Sequence, residues 1–307
     1  LMVFVVSAPL INSERLSNDV NNILDERLPS TVNSFRTARA LDNLAASAFS
    51  LLNIDNQTEK QRAFSALDEI QAQLSPYLAS MDSTNSNEST RAILQLSNEL
   101  NNNLDDLRAL VEERLDILNT RSRSRLALSE AWQSMQRHLT YRIRILEADS
   151  DVITHLGNQP DFPIEDLNDM AINSARLVPI SRLYTLLGTI SGDQLRVSDT
   201  TNPSQLDIFE QEIATGITEA AEAMRKLPSA IQEEMAGDFQ QLMDVINSPD
   251  NLINLRRREL ALLSDGFSLL VQNERITAEI DETSDNLASQ EVQQINAAGE
   301  NALAYSR

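Results

Sequence analysis

The stretch NESTRAILQLSNELNNNLDDLRALVEERLDILNTRSRSRLALSEAWQSMQRHLTYRIRILEADSDVITHLG, Asn87 to Gly157, decides the fold. It holds no proline, no turn cluster, and no glycine before its last residue. Apolar residues recur at three- and four-residue steps: Ile93, Leu96, Leu100, Leu104, Leu107, Val111, Leu115, Leu118. After an arginine-rich run the pattern resumes with Trp132, Met135, Leu139, Ile143, Leu146, Ile153 and Leu156. That spacing is the signature of an amphipathic helix. About 70 residues at ~1.5 Å each make a rod of roughly 105 Å. Such a rod suits a device that spans distance better than an enzyme core.

The spacing elsewhere predicts five more helices. The first runs over Ser13–Asn53 with a kink at Pro29, and the second over Thr58–Met81 with an interruption near Pro76. The fourth runs over Ile164–Ile190 and is followed by a break from Ser191 to Pro203. The fifth runs over Ser204–Ile246 with a kink at Pro228, and the sixth from Asn251 to the end. Short connections favour antiparallel neighbours. The expected fold is all-α: two stacked four-helix bundles sharing two long helices. Residues 13–124 and 279–307 would form a membrane-proximal bundle, and 125–278 a membrane-distal one. Residues 1–12, LMVFVVSAPLIN, are read as the end of a transmembrane helix or a processing or cloning remnant.

Composition narrows the function. Hydrophobic content of 41% is globular, and only seven glycines fit long helices. A net charge of −21 argues against nucleic acid as a partner, because phosphate binding needs basic patches. With no cysteine there are no disulfides, thiolate metal sites or cysteine nucleophiles. No phosphate loop, zinc-protease motif or nucleophile elbow occurs. His138 and His155 lack a glutamate three residues before them, so they do not form the paired Glu-x-x-His ligands of a di-iron bundle. They read as half-exposed helix residues. Glu112–Glu113 and Glu233–Glu234 read as solvated surface, and Trp132 as core. No catalytic residue, metal or cofactor is expected in this chain.

Three groups of residues carry functional expectations. Arginine gathers in the second half, at Arg121, Arg123, Arg125, Arg137, Arg142, Arg144, Arg176, Arg182 and Arg256–Arg258, while Arg36 and Arg39 form an i, i+3 pair on the first helix. Arg36 and Arg39 are the candidate anion-binding residues, since a guanidinium can grip a carboxylate bidentately; the plainer reading is a solvated face balancing the acidic residues. The final helix has a seam that turns polar at Asn273, Thr283, Gln290 and Gln294, which marks it as a candidate signal helix. The turns Gly157–Pro163 and Asn247–Asn251 are expected to meet at the tip farthest from the membrane. That tip would present Asn158, Gln159, Asp161, Phe162, Pro249 and Asp250 to a partner, or merely cap helices.

The segments ERLPSTVNSFRTARALDNLAASAFSLL (Glu26–Leu52) and AEIDETSDNLASQEVQQINAAGENALAYSR (Ala278–Arg307), with the two long helices, resemble helical bimodular sensor regions of bacterial transmembrane receptors. Within that group the length and the kinked fourth and fifth helices are most similar to the periplasmic sensor region of TorS-type kinases. The resemblance implies a periplasmic domain of an inner-membrane, two-component histidine kinase that responds to trimethylamine N-oxide. It implies a TorT-like periplasmic solute-binding protein as partner, a homodimer in the full receptor and flanking transmembrane helices. The kinase parts would lie beyond Arg307. A chemoreceptor sensor region of the same type, binding small organic acids directly, is the alternative. A structural tether is a third class.

Overall fold

The computed structural model describes residues 28–83, 88–156 and 164–305. Among the described residues seven α-helices follow one another: α1 (Leu28–Ala48), α2 (Gln57–Ser83), α3 (Glu88–Leu156), α4 (Ile164–Val197), α5 (Pro203–Arg225), α6 (Ser229–Ile246) and α7 (Leu252–Tyr305). A 3-10 turn, Phe49–Asn53, follows α1. There is no strand among the described residues. The all-α class read from the periodicity is the observed one.

Local chemistry sets the helix ends. Asn56 caps α2, its side-chain oxygen accepting from the Glu59 amide at 3.0 Å, while Glu59 accepts in return from the Asp55 amide at 3.3 Å. The Asn202 side chain accepts from the Ser204 amide at the start of α5, where Pro203 supplies a preset φ. Asn251 accepts from the Asn254 amide at 2.9 Å at the start of α7.

Two proline expectations change, at Pro76 and Pro228. Pro76 lies inside a continuous α2, and Pro179 inside a continuous α4 that runs on to Val197. Each loses one backbone hydrogen bond. Buried Leu67, Leu74 and Met81 hold α2 across the gap, and Ile180, Leu183 and Leu187 hold α4. The break expected from Ser191 to Pro203 therefore shrinks to residues 198–202. At Pro228, by contrast, the expected single kinked helix divides into α5 and α6.

The helices form two compact units. The first holds 28–115 and 263–305 of the described chain, and the second 116–262. In the first unit α1, α2, the start of α3 and the end of α7 form a bundle. Asn33 meets Ser80 at 3.0 Å across α1 and α2, Arg108 meets Asp68 at 2.5 Å across α3 and α2, and Asn103 meets Asn273 across α3 and α7. All three pairings are antiparallel. Leu41, Leu44, Leu74, Ile93, Leu100, Leu104, Leu107, Ile276, Ile280 and Leu287 make its core.

The second unit packs the rest of α3 with α4, α5 and α6 around Leu128, Met135, Leu139, Leu183, Leu187, Leu206, Met235 and Leu242. Trp132 packs against this core and against Tyr184, with ring centroids 5.7 Å apart.

One antiparallel pairing runs along α3: Glu234 against Arg142, Asp238 against Ser134, Asp250 against Ser124, and Glu259 against Arg121. Thus α6 and α7 follow α3 as one interrupted course. The turn at 247–251 breaks that course and does not reverse it. Pro249 supplies no amide proton and pushes its predecessor out of the helical region, which accounts for the interruption.

Candidate functional site

The chain presents a buried polar layer in the first unit, a buried ion network in the second, and two open grooves. The layer sits on α7 and α3. Asn103 Nδ2 donates to Asn273 Oδ1 at 2.9 Å, and Asn273 is 1% exposed. The Asn273 Nδ2 has no hydrogen-bond partner, nor do the hydroxyls of Ser97 and Ser284, all buried. The Thr277 hydroxyl donates to the Asn273 carbonyl at 3.1 Å. A buried donor without a partner costs about 1–3 kcal/mol. The layer thus weakens a seam otherwise filled by leucine and isoleucine.

Of the four residues expected to mark the signal helix, Asn273 lies in this layer. Thr283 is half-buried, and its hydroxyl is taken by the Glu279 carbonyl at 2.6 Å. The buried polar group one residue on is Ser284, which the sequence reading missed. Its signal was available, since Leu270, Asn273, Thr277, Ile280, Ser284 and Leu287 alternate by three and four. Gln290 and Gln294 are exposed.

The ion network joins Arg121 and Arg256 to one carboxylate. Both donate to Glu259 Oε2, Arg256 at 2.6 Å, and Glu259 is 2% exposed. Arg256 Nε also donates to the Thr200 carbonyl at 2.7 Å, tying α7 to the α4–α5 connection. Neighbouring arginines are similarly engaged. Arg257 reaches Asp207 and Glu210 at 2.9 Å each, and these two acids hold its guanidinium above the usual range, Glu210 most strongly. Arg258 meets Asp250 at 3.1 Å, Arg182 meets Glu219 at 3.0 Å, and Arg142 meets Glu234. These second-half arginines grip carboxylates of their own unit and do not converge on a cavity.

Arg36 and Arg39 are both exposed on α1, and the Arg36 guanidinium lies 5.9 Å from the centre of the Tyr77 ring. His138 is exposed and paired with Asp238; His155 is exposed. No metal-binding cluster occurs among the described residues.

Asn158, Gln159, Asp161 and Phe162 lie outside the described residues. Pro249 and Asp250 are exposed, but the Asp250 carbonyl accepts from the Ser124 hydroxyl at 2.9 Å. Ser124 precedes Leu156, the last described residue of α3, by about nine helical turns, on the order of 48 Å. The Asn247–Asn251 turn therefore does not meet the end of α3 as expected. The α5–α6 connection comes closer, because Glu234 near the start of α6 pairs with Arg142. The same part of the second unit exposes Tyr141 (59%) and Val178 (71%), with Val152 and Ile172 also exposed. Tyr141 and Val152, three turns apart, share one face of α3. The sequence reading passed over them because they flank the core stripe.

An open groove of about 530 Å³ between α3 and α6 is floored by Ala127 and Gly237, and Asp244 is its one charged lining residue. A second, of about 700 Å³ between α2 and α3, has Asp105 as its one charged lining residue. Neither offers an arginine to an organic acid.

No protein-family model and no curated protein matches this chain. Solved structures do. The TorS sensor domain, in its complex with TorT in the presence of TMAO, matches with a TM-score of 0.70 and 14% identity, over 85% of this chain and 99% of that one. The TorS sensor domain of a V. parahaemolyticus histidine kinase matches with a TM-score of 0.58 and 12% identity, over the same shares. At these identities the likeness speaks for architecture: the chain has the fold of the TorS sensor domains.

Proposed function

We propose that this chain is the periplasmic sensor region of a two-component histidine kinase that detects trimethylamine N-oxide through a TorT-like binding protein. The observation that carries this reading is the match over 99% of a TorS sensor chain solved with TorT bound. The kinase acts as a homodimer and is held by flanking transmembrane helices, with the first unit nearer the membrane and the second farther from it. The binding protein docks on the second unit, where Tyr141, Val152, Ile172 and Val178 offer apolar anchors among charged residues. The α3–α4 connection with Asn158, Gln159, Asp161 and Phe162 belongs to the same docking region, whereas Pro249 and Asp250, in the turn between α6 and α7, lie outside it. The signal leaves along α7, whose polar layer at Asn273 lets two arrangements lie within a few kcal/mol of each other.

Among the described residues, the two grooves at Asp244 and Asp105 are lined by no arginine, which favours a protein partner over a directly bound acid. Titration calorimetry tests this. The chain alone should give no heat with trimethylamine N-oxide or small organic acids, and saturable binding once the cognate binding protein is present. Saturable binding of a small carboxylate by the chain alone, lost in Arg36→Ala or Arg39→Ala, would establish the chemoreceptor reading instead.

A further inference from the structure

Gly266 stands inside α7, a helix of 54 residues. Glycine weakens a helix interior relative to alanine, so its place there needs a reason. Leu52 supplies one. A methyl group at position 266 would stand 2.5 Å from Leu52 Cδ2. The leucine side chain thus enters a notch that only glycine leaves open. Leu263 lies one turn before the notch, and Leu269 and Leu270 one turn after it.

Leu52 is held in that position. It belongs to the connection between α1 and α2, where Leu51, Leu52 and Ile54 are all buried. Arg114 of α3 grips this segment by its backbone. Its Nη1 donates to the Leu52 and Ile54 carbonyls at 2.9 Å each, and its Nη2 to Asp55 Oδ1 at 2.8 Å. The rigid guanidinium fork serves all three acceptors at once. Lys60, in the first turn of α2, meets Glu112 of α3 at 2.6 Å and ties down the far end of the same segment. All of these residues belong to the first unit.

We infer that the α1–α2 connection is a stop that sets the register of α7. Leu52, clamped by Arg114, keeps Gly266 beneath it. Sliding α7 by one turn, ~5.4 Å, would bring a leucine to a place where not even a methyl group fits. While the clamp holds, α7 moves within the first unit by a fraction of a turn or by tilting. Releasing Arg114 or trimming Leu52 frees longer excursions. The stop acquires a part in signalling only on the reading of α7 given above, but its tests use the chain alone and stand apart from any binding protein.

Two experiments test the stop. The first reads the contact. Gly266→Ala should lower the melting temperature of the parent chain and raise it in a Leu52→Ala background, where the added methyl group has room. The same sign in both backgrounds would overturn the inference. The second reads the register. The chain has no cysteine, so introduced pairs report cleanly. Asn103 and Asn273 meet across α3 and α7, so Asn103→Cys with Asn273→Cys marks the native register. Asn103→Cys with Leu270→Cys, or with Thr277→Cys, marks a displacement of about one turn in either direction. Under mild oxidation the native pair should dominate by about tenfold or more. Arg114→Ala and Leu52→Ala should each raise the ratio of displaced to native cross-link several-fold. Leu52→Ala leaves the clamp in place, so the stop can be read even where Arg114→Ala does not fold. A ratio that stays unchanged, or displaced cross-links as strong as the native one in the parent, would overturn the stop.

Discussion

The Asn103–Asn273 pair gives the sharpest test of the polar layer. Replacing Asn273 by leucine alone buries an added apolar side chain, worth about 1.5–3 kcal/mol. It also strands the Asn103 amide, which donates to Asn273 in the native core, at about 1–3 kcal/mol. The two effects nearly cancel, and Asn103→Leu cancels for the same reason. The double variant strands neither partner. It should be more stable than the parent by about 1–3 kcal/mol, with a coupling energy of at least ~1 kcal/mol across the cycle. Urea unfolding followed by circular dichroism, read as midpoint shifts at constant slope, measures all four corners. In the full receptor the double variant should hold a single output level, because the seam no longer supports two packings. Additive single and double effects, or a double variant less stable than the parent, would refute the reasoning.

Glu259→Gln should destabilise the second unit by about 3–5 kcal/mol in the same urea assay, since it leaves Arg121 and Arg256 without their shared carboxylate. Glycine substitutions should split by position: Gly237→Ala, whose added methyl meets nothing within 4 Å, should raise stability by about 0.5–1 kcal/mol. Gly266→Ala, whose methyl would stand 2.5 Å from Leu52 Cδ2, should lose that gain and lower the melting temperature. Asp281 is held above its ordinary value of 3.8 by burial and then by Asp42 and Asp285, so the folded state favours its protonated form. Its stabilising contribution is present below the unfolded value and lost as pH rises through the folded one. Asp281→Asn should therefore raise the melting temperature near neutrality and change it little in strong acid.

Periodicity alone fixed the helical class, both long helices and the core stripe, because a 3.6-residue repeat of leucines leaves one way to bury them. It also marked Asn273, a polar residue at a seam position. What it could not set was the partner of each face. Pro76 read as an interruption, yet packing on Leu74 carries its helix through, while Pro228, read as a kink, divides its segment. The arginines at 256–258 read as a possible anion grip, and the fold supplies Glu259, Asp207, Glu210 and Asp250 to meet them. The turn at 247–251 read as a hairpin, and only its place opposite Ser124 shows an interrupted course. A sequence repeat specifies how a helix divides into faces; which neighbour covers each face depends on contacts between residues more than a hundred positions apart, such as Ser124 with Asp250.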